Sequence, residues 1–240
     1  MSAEGRTSIR RRSKAIENCD IMAFSPRTPP IVDPPIRLAV CVSGGGTTLQ
    51  NLIDLIRAHG LRAETVLVVA SRPRIGAIER AQAAGIPLAL ASQARCSTAE
   101  FSASVFDPIE HARADLVILG GFLALLRIPA LYKNRVINIH PALIPAFCGE
   151  GFYGTKVHEA VIASGAKFSG CTVHFADDAY DSGPIISQRV VPVLDSDTPP
   201  SLAARVFQEE CQALPEAVEL YAAGRLKIEG RRVQVTPPVW

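Results

Sequence analysis

The sequence predicts an α/β protein with a doubly wound, mostly parallel sheet and helices on both faces. Two observations support this prediction. Short apolar runs without polar alternation are typical of strands covered on both faces, and segments with a helical apolar stripe separate them. The first run is IRLAVCVS, from residue 36, and LQNLIDLIRAHG follows it with apolar residues at 49, 52, 53, 55 and 56. Because buried strands alternate with amphipathic helices, the strands are expected to be parallel and joined by right-handed crossovers.

The remaining elements follow in order along the chain. The next predicted strands are TVLVVAS, IPLALAS, ADLVILGG and VINIH, and the helices between them are RIGAIERAQAAG and TAEFSASVFDPIEHAR. Residues 170–186, GCTVHFADDAYDSGPII, begin as a strand, turn through Asp177, Asp178 and Asp181, and return in PIISQRVVPV. This pattern predicts a hairpin or a crossover with the three acids at its tip. Ligands of doubly wound sheets bind outside the carboxyl ends of the strands.

Composition bounds the domain organisation. Of the 240 residues, 48% are hydrophobic and 20% are charged, which supports a sizeable core and excludes a wholly disordered chain. Residues 1–35 contain RTSIRRRSK and proline-rich stretches and are predicted to be a flexible extension. We expect one domain over 36–230 and a C-terminal tail over 231–240. The net charge is only +2, with much of the excess in the extension, so we expect no nucleic-acid partner.

Cysteine usage and hydropathy indicate the compartment. The cysteines at 19, 41, 96, 148, 171 and 211 lack the spacing of a metal site, and buried, reduced thiols are typical of cytosolic proteins. The sequence contains no run of about 18 apolar residues, so we expect no membrane span. The extension contains no apolar core of a secretory signal. We therefore expect a cytoplasmic protein that binds no metal and no membrane and is a monomer or a homodimer.

A glycine-rich turn follows the first strand. Ser43, Gly44, Gly45, Gly46 and two threonines lead directly into the first helix. Glycines let backbone N–H groups approach a ligand closely, and a helix N-terminus offers free donors and a partial positive charge. The turn lacks the lysine of a P-loop, and Leu49 occupies the last position of GxGxxG. The sequence therefore predicts a site for a small phosphorylated substrate, with an empty tight turn as the alternative.

A second polar segment ends the fifth strand. In VINIHP, Asn138 and His140 point to the same side because side chains two apart on a strand share a face. Asp181 precedes Ser-Gly-Pro, a turn that can fix its carboxylate. Imidazole and carboxylate suit proton transfer, and an amide can donate to a developing oxyanion. Because Cys148 has no assigned base, we expect acyl-type transfer by direct attack of a substrate amine, with a structural histidine as the alternative.

Four segments together resemble the phosphoribosylglycinamide formyltransferase family. They are VCVSGGGTTLQNLID, LGGFLALL, NIHPALIPAF and GCTVHFADDAYDSGPIISQ, and the resemblance covers residues 36 to about 230. The resemblance implies a Rossmann-like formyltransferase fold. It also implies transfer of a formyl group from 10-formyltetrahydrofolate, as co-substrate, to the amino group of glycinamide ribonucleotide in purine (IMP) biosynthesis.

The resemblance also implies site residues. His140 would donate a proton to the oxyanion, Asn138 would bind the formyl oxygen, and Asp181 would raise the pKa of His140 and help to deprotonate the amine. In this family the ribonucleotide phosphate and ribose would contact Gly45, Gly46, Thr47, Thr48 and Glu210. The folate would contact Leu123, Ala124, Leu125, Leu126 and Asn138.

Departures from the family pattern concern the folate side and one loop. Ala124 stands where the family commonly has arginine, and Thr98 replaces another arginine, for which Arg95 is a possible substitute. The loop CGEGFYGTKVHEAV is longer than usual, and its Lys156 and His158 are expected at the surface rather than lining the entrance. Three alternative functions stay open: a methionyl-tRNA formyltransferase, a formyltetrahydrofolate hydrolase, or a non-catalytic nucleotide-binding regulator. The short segments flanking the predicted domain favour the main hypothesis over the first two.

Overall fold

The structure of the chain is a computed structural model that describes residues 34–94 and 96–237. The predicted extension over 1–35 therefore lies almost wholly outside the described residues, and so does Arg95.

One nine-stranded sheet organises the described chain. Its strands are β1 Ile36–Val42, β2 Ala63–Ala70, β3 Leu88–Leu90, β4 Leu116–Leu119, β5 Val136–His140, β6 Phe168–Phe175, β7 Ile185–Pro192, β8 Leu226–Glu229 and β9 Arg232–Val235. The helices are α1 Thr47–Arg57, α2 Gly76–Ala83, α3 Thr98–His111, α4 Thr155–Ser164 and α5 Pro199–Ala222, with a 3-10 turn at Ala130–Tyr132.

The strand order is β3-β2-β1-β4-β5-β6-β7-β9-β8. The first five strands of this order pair in parallel. The pairs β5–β6 and β6–β7 are antiparallel. Strands β6 and β7 form the hairpin that was one of the two predictions for residues 170–186. The prediction of an α/β fold with a mostly parallel sheet is confirmed.

Helices cover both faces of the sheet, as predicted. Side chains of α1, α2, α4 and α5 pack on one face in a core that includes Leu49, Leu52 and Leu202. Helix α3 packs on the other face through Phe101 and Val105. Strands β1, β2 and β4, between these two layers, are mostly buried, which explains their continuous apolar sequence.

The sheet extends beyond the predicted domain boundary at residue 230. Strand β9 lies inside the predicted tail 231–240 and pairs antiparallel with β8. Both strands are short and partly exposed, so they lack the buried apolar run by which the other strands are recognised. The predicted boundary is therefore wrong by at least the length of β9.

Candidate active site

Strand β5 ends in the predicted Asn138 and His140. Pairing with β6 places Asn138 opposite His174 and His140 opposite Thr172. The two side chains leave the same face of the strand, as the strand periodicity predicts, and the segment between β6 and β7 folds back over that face. The strand therefore delivers an amide and an imidazole to one spot.

Asp181 joins these two side chains. Its Oδ1 accepts a hydrogen bond from Asn138 Nδ2 at 3.2 Å, and its Oδ2 lies 3.4 Å from His140 Nδ1. Gly149 N–H donates to the same Oδ2 at 2.9 Å. Asp181 adopts a left-handed φ of 51°, and its side chain is only 10% exposed. The structure therefore brings the predicted amide, imidazole and carboxylate together in one cluster.

His174 is a member of this cluster that the sequence did not reveal. Its Nε2 lies 3.0 Å from Asn138 Nδ2 and 3.7 Å from Asp181 Oδ1. Its Nδ1 lies 2.9 Å from the carbonyl oxygen of Phe175. Because a carbonyl only accepts, Nδ1 carries a proton, and Nε2 faces both the Asn138 amide and the Asp181 carboxylate. The one available signal was an imidazole within an otherwise apolar strand, which equally describes a core histidine.

The pKa values of His140 and Asp181 reflect burial as well as the attraction between the two side chains. Burial lowers the pKa of His140, and the opposing effect of the Asp181 carboxylate is smaller, so the net shift is downward. Burial raises the pKa of Asp181, but the hydrogen bond from His174, the charge of His140 and the Gly149 N–H together lower it below its usual value. Asp181 thus raises the pKa of His140, as expected, but burial lowers this pKa by more than Asp181 raises it.

His140 also bonds to the loop that follows β5. Its Nε2 donates to the carbonyl oxygen of Phe147 at 2.9 Å. Both ring nitrogens thus face acceptors, the carbonyl and the Asp181 carboxylate. This partner set favours the imidazolium, whereas burial favours the neutral ring. A negative charge forming beside the ring would shift this balance towards the imidazolium.

The glycine-rich turn lies at the carboxyl end of β1, two strands from β5. Gly46 is the N-cap of α1 with a φ of 76°, and a Cβ there would meet Ala77 Cβ at 2.7 Å. Of the three glycines of the turn, Gly46 has the positive φ. Thr47 and Thr48 form the first turn of α1, where backbone N–H groups have no intrahelical acceptor. This geometry suits the predicted anion site.

Glu210 lies near the same helix. Asn51 of α1 donates through Nδ2 to the backbone carbonyl of Cys211 at 3.0 Å, which ties α1 to α5 beside Glu210. Burial raises the pKa of the half-buried Glu210 carboxyl to about 7. The predicted ribose-binding acid therefore titrates in the physiological range.

A cleft next to the cluster contains most of the predicted folate contacts. Its lining includes Ala124, Leu125 and Leu126 together with Asn138 and Asp181. Leu123 does not line the cleft. Its backbone N–H instead donates to Ser43 Oγ at 3.0 Å. The apolar loop after β4 therefore joins the cleft to the glycine-rich turn.

The other two acids of the hairpin segment are exposed but bonded. Asp178 Oδ1 accepts from the backbone N–H of Ile128 at 2.9 Å and so fixes the end of the apolar loop. Asp177 Oδ1 accepts from Ser182 Oγ at 2.6 Å. Both acids therefore order the turn through hydrogen bonds although they are exposed to solvent.

The remaining candidates divide between surface and interior. Lys156 is exposed and donates to Tyr153 Oη at 3.1 Å, as expected of a surface residue. His158 is only 4% exposed, and its buried Nδ1 has no hydrogen-bond partner in the described ranges. The expectation of a surface position is wrong for His158, because α4 turns this residue inward. Thr98 is the first residue of α3.

Two features are absent from residues 34–94 and 96–237. No group of three or more His, Cys, Asp or Glu side chains in these ranges is arranged to hold a metal ion. In the same part of the chain, no helix combines the length and the apolar character needed to cross a membrane.

Comparison with known proteins adds an independent observation. The family model described as formyl transferase matches residues 36–218. The phosphoribosylglycinamide formyltransferase, chloroplastic, of Vigna unguiculata is 41% identical over 193 residues, which are 79% of this chain and 62% of that protein. The chain thus spans less than two thirds of that relative.

Solved structures agree with this match. Glycinamide ribonucleotide transformylase 1 from Symbiobacterium toebii has a TM-score of 0.78 and 38% identity, covering 85% of this chain and 96% of that one. A formyltetrahydrofolate deformylase from Burkholderia mallei has a TM-score of 0.74 and 31% identity, covering 86% and 72%. The chain belongs to the formyl transferase family.

Proposed function

We propose that the protein transfers the formyl group of 10-formyltetrahydrofolate to the amino group of glycinamide ribonucleotide, a step of purine biosynthesis. The observation that supports this most is the convergence of Asn138, His140 and Asp181 in one buried cluster. The names of the relatives from Vigna unguiculata and Symbiobacterium toebii agree with it.

The reaction needs one bond made, one broken and one proton moved. The substrate amine attacks the formyl carbon, and the carbonyl oxygen becomes an oxyanion. When the bond from carbon to N10 of the folate breaks, N10 takes up a proton and the new amide has lost one. No serine or cysteine nucleophile is required, which fits a cluster made of an amide, imidazoles and a carboxylate.

Each side chain then has a defined task in the proposal. Asn138 Nδ2 already donates to Asp181 and faces His174, so its position is fixed before the formyl oxygen arrives. His140 would donate its proton to the oxyanion, whose negative charge raises the pKa of the ring during reaction. Asp181, whose pKa is lowered, is ionised at neutral pH and can accept the amine proton, directly or through water.

The two substrates would occupy different sides of this cluster. We propose that the folate pterin enters the cleft lined by Ala124, Leu125 and Leu126. The ribonucleotide phosphate would bind the N–H groups of Gly45, Gly46, Thr47 and Thr48, with Leu123 joining the two sites through Ser43. Glu210 would accept hydrogen bonds from the ribose.

Hydrolysis of 10-formyltetrahydrofolate is the second candidate, because the Burkholderia mallei deformylase shares this fold at 31% identity. The same cluster can activate water instead of an amine. Purified protein should release tetrahydrofolate, followed by absorbance, only when glycinamide ribonucleotide is added. Equal release without the amine would replace the proposal by hydrolysis, and binding without turnover would support a non-catalytic regulator.

The assay has an internal control. In the His140→Ala variant, turnover should fall by at least about two orders of magnitude, the usual scale of lost acid-base catalysis. A variant with a near-normal rate would refute the role of His140 without refuting the reaction.

We also propose a cytoplasmic monomer or homodimer. The cysteines at 41, 96, 148, 171 and 211 are free thiols, which suits a reducing compartment. Size-exclusion chromatography with light scattering distinguishes monomer from dimer.

A further inference from the structure

Arg80 reaches from α2 to the glycine-rich turn. Its Nε donates to the carbonyl oxygen of Gly45 at 2.9 Å, and its Nη1 donates to Gln50 Oε1 of α1 at 3.0 Å. Gln50 in turn donates through Nε2 to Asp54 at 2.8 Å. The guanidinium is therefore held at two points by the turn and by the helix that the turn begins.

The positive charge of Arg80 is not neutralised by this arrangement. Its hydrogen bonds within the described residues go to a carbonyl and a side-chain amide, and no carboxylate there pairs with it. Arg72 and Arg74 lie exposed in the connection that precedes α2. Among the described residues, Arg80 is therefore an unpaired cation in direct contact with the turn.

Helix α2 and its preceding connection also fix the shape of the turn. Ala77 N–H donates to the Gly44 carbonyl at 3.2 Å, and Ser71 Oγ lies 2.7 Å from Ser43 Oγ. Ala77 is also the residue that a Cβ at Gly46 would strike. Arg80 adds a hydrogen bond to the carbonyl of Gly45, in the middle of the turn.

Fixing the Gly45 carbonyl fixes the N–H that follows it. A trans peptide is planar, so the carbonyl of Gly45 and the N–H of Gly46 point in opposite directions. With the carbonyl held towards Arg80, the Gly46 N–H is turned away from the guanidinium. Neither Gly45 nor Gly46 donates to an acceptor in the described part of the chain. A charged donor on the carbonyl also polarises this peptide and strengthens its N–H as a donor.

We propose that Arg80 is a positioning residue for a phosphomonoester dianion bound at the glycine-rich turn. It acts through the Gly45–Gly46 peptide and not by touching the reacting atoms. The inference rests on the proposed function for the identity of the ligand, a ribonucleotide phosphate. Because the guanidinium bonds to two acceptors in a fixed fork, lysine can replace its charge but not both contacts.

The test compares Arg80→Gln, Arg80→Lys and the control Arg57→Gln, which removes an exposed charge at the other end of α1. In Arg80→Gln, KM for glycinamide ribonucleotide should rise about tenfold, the scale of a lost charge-assisted hydrogen bond. The kcat and the KM for the folate should stay within about twofold. Arg80→Lys should be intermediate, and Arg57→Gln should match the wild type.

A structural role alone would give a different result. If Arg80 merely stabilised the fold, kcat and both KM values would change with the melting temperature, and the proposal would be overturned. An unchanged KM for the ribonucleotide in Arg80→Gln would overturn it as well.

A binding measurement separates this inference from the proposed reaction. Calorimetric titration with ribose 5-phosphate should show affinity reduced about tenfold in Arg80→Gln, even if the wild type transfers no formyl group. Equal binding of ribose 5-phosphate by the wild type and Arg80→Gln would overturn the role of Arg80, whatever the enzyme assay shows.

Discussion

The catalytic cluster and the glycine-rich turn organise their polar groups in opposite ways. In the cluster, Asn138, His140, His174 and Asp181 are buried side chains that are bonded to one another before any substrate arrives. In the turn, the groups available to a ligand are backbone N–H donors, and those of Gly45 and Gly46 have no acceptor in the described residues. A preorganised cluster is suited to stabilising a transition state, and an open set of donors is suited to binding an anion.

This contrast predicts different kinetic signatures. A change in the cluster should lower kcat, and a change around the turn should raise KM for one substrate.

The strongest test exchanges Asp181 for asparagine. Asp181→Asn keeps the shape of the side chain but removes its negative charge and replaces one of the two oxygens that face Asn138, His140 and Gly149 by an NH2 group. We expect kcat to fall by about two to four orders of magnitude, with both KM values within about threefold. Steady-state kinetics gives these values, and circular dichroism checks the fold. Asp195→Asn, at a side chain that is 93% exposed, is the matched control; a normal kcat in Asp181→Asn would break the comparison.

The second test strains the turn. Alanine at Gly46 must adopt a φ of 76° and would collide with Ala77. Such backbone strain costs about 1–3 kcal/mol, so Gly46→Ala should raise KM for the ribonucleotide by tenfold or more and lower the melting temperature. Gly44→Ala is the control, because a Cβ there has no atom within 4 Å. If the two variants behave alike in kinetic and melting experiments, the turn does not require the left-handed glycine.

The third test uses pH. Glu210, with its pKa raised to about 7, is a carboxylate at pH 8 and largely protonated at pH 6. A carboxylate accepts hydrogen bonds from ribose better than the acid does, so KM for the ribonucleotide should rise up to about tenfold from pH 8 to pH 6. The glutamine of Glu210→Gln does not titrate, so any pH dependence that remains in the KM of this variant comes from titration of the substrate phosphate. Parallel pH profiles for the two proteins would count against a role for Glu210.

The smallest expected effect concerns His158, whose buried Nδ1 has no hydrogen-bond partner among residues 34–94 and 96–237. Burial and, secondarily, the charge of His140 lower its pKa from 6.5. The unfolded state therefore binds more protons below pH 6.5, and stability is lost as the pH falls through the folded pKa. His158→Gln does not titrate, so its melting temperature should drop less than that of the wild type between pH 7.5 and pH 5.5, by about 2 °C or more.

Differential scanning calorimetry at the two pH values measures this difference. His140 and Glu210 titrate in the wild type and in the variant alike. Their contributions to the drop in melting temperature are therefore the same in both proteins and cancel when the two drops are compared. An equal drop in both proteins would show that His158 does not change its protonation on unfolding.

Much of the fold could be predicted because the parallel half of the sheet is buried on both sides. Strands β1, β2 and β4 are continuous apolar runs, and a run of this kind is recognisable without neighbours. Strands β8 and β9 are stabilised by pairing and not by burial, and pairing partners are not visible in the sequence. Their position therefore was not predicted.

The site was predictable where local rules apply. Strand periodicity placed Asn138 and His140 on one face, and turn chemistry singled out Asp181. His174 and Arg80 were missed because their importance comes from contacts between distant segments, 36 residues apart for His174 and Asn138 and 35 for Arg80 and Gly45. The net direction of the His140 pKa was also missed, because the degree of burial is a property of the folded chain.

The antiparallel pairing of β5 with β6 has a consequence for how the protein can vary. Register alone sets Asn138 opposite His174, and the 27 residues from 141 to 167 that join the two strands do not determine this alignment. Insertions beyond Gly149 in that connection, such as the lengthened loop around Tyr153, can therefore accumulate or be engineered while the spacing of the reactive groups is preserved. A single added residue between Phe175 and Asp181 has no such freedom, since it would displace the acid itself.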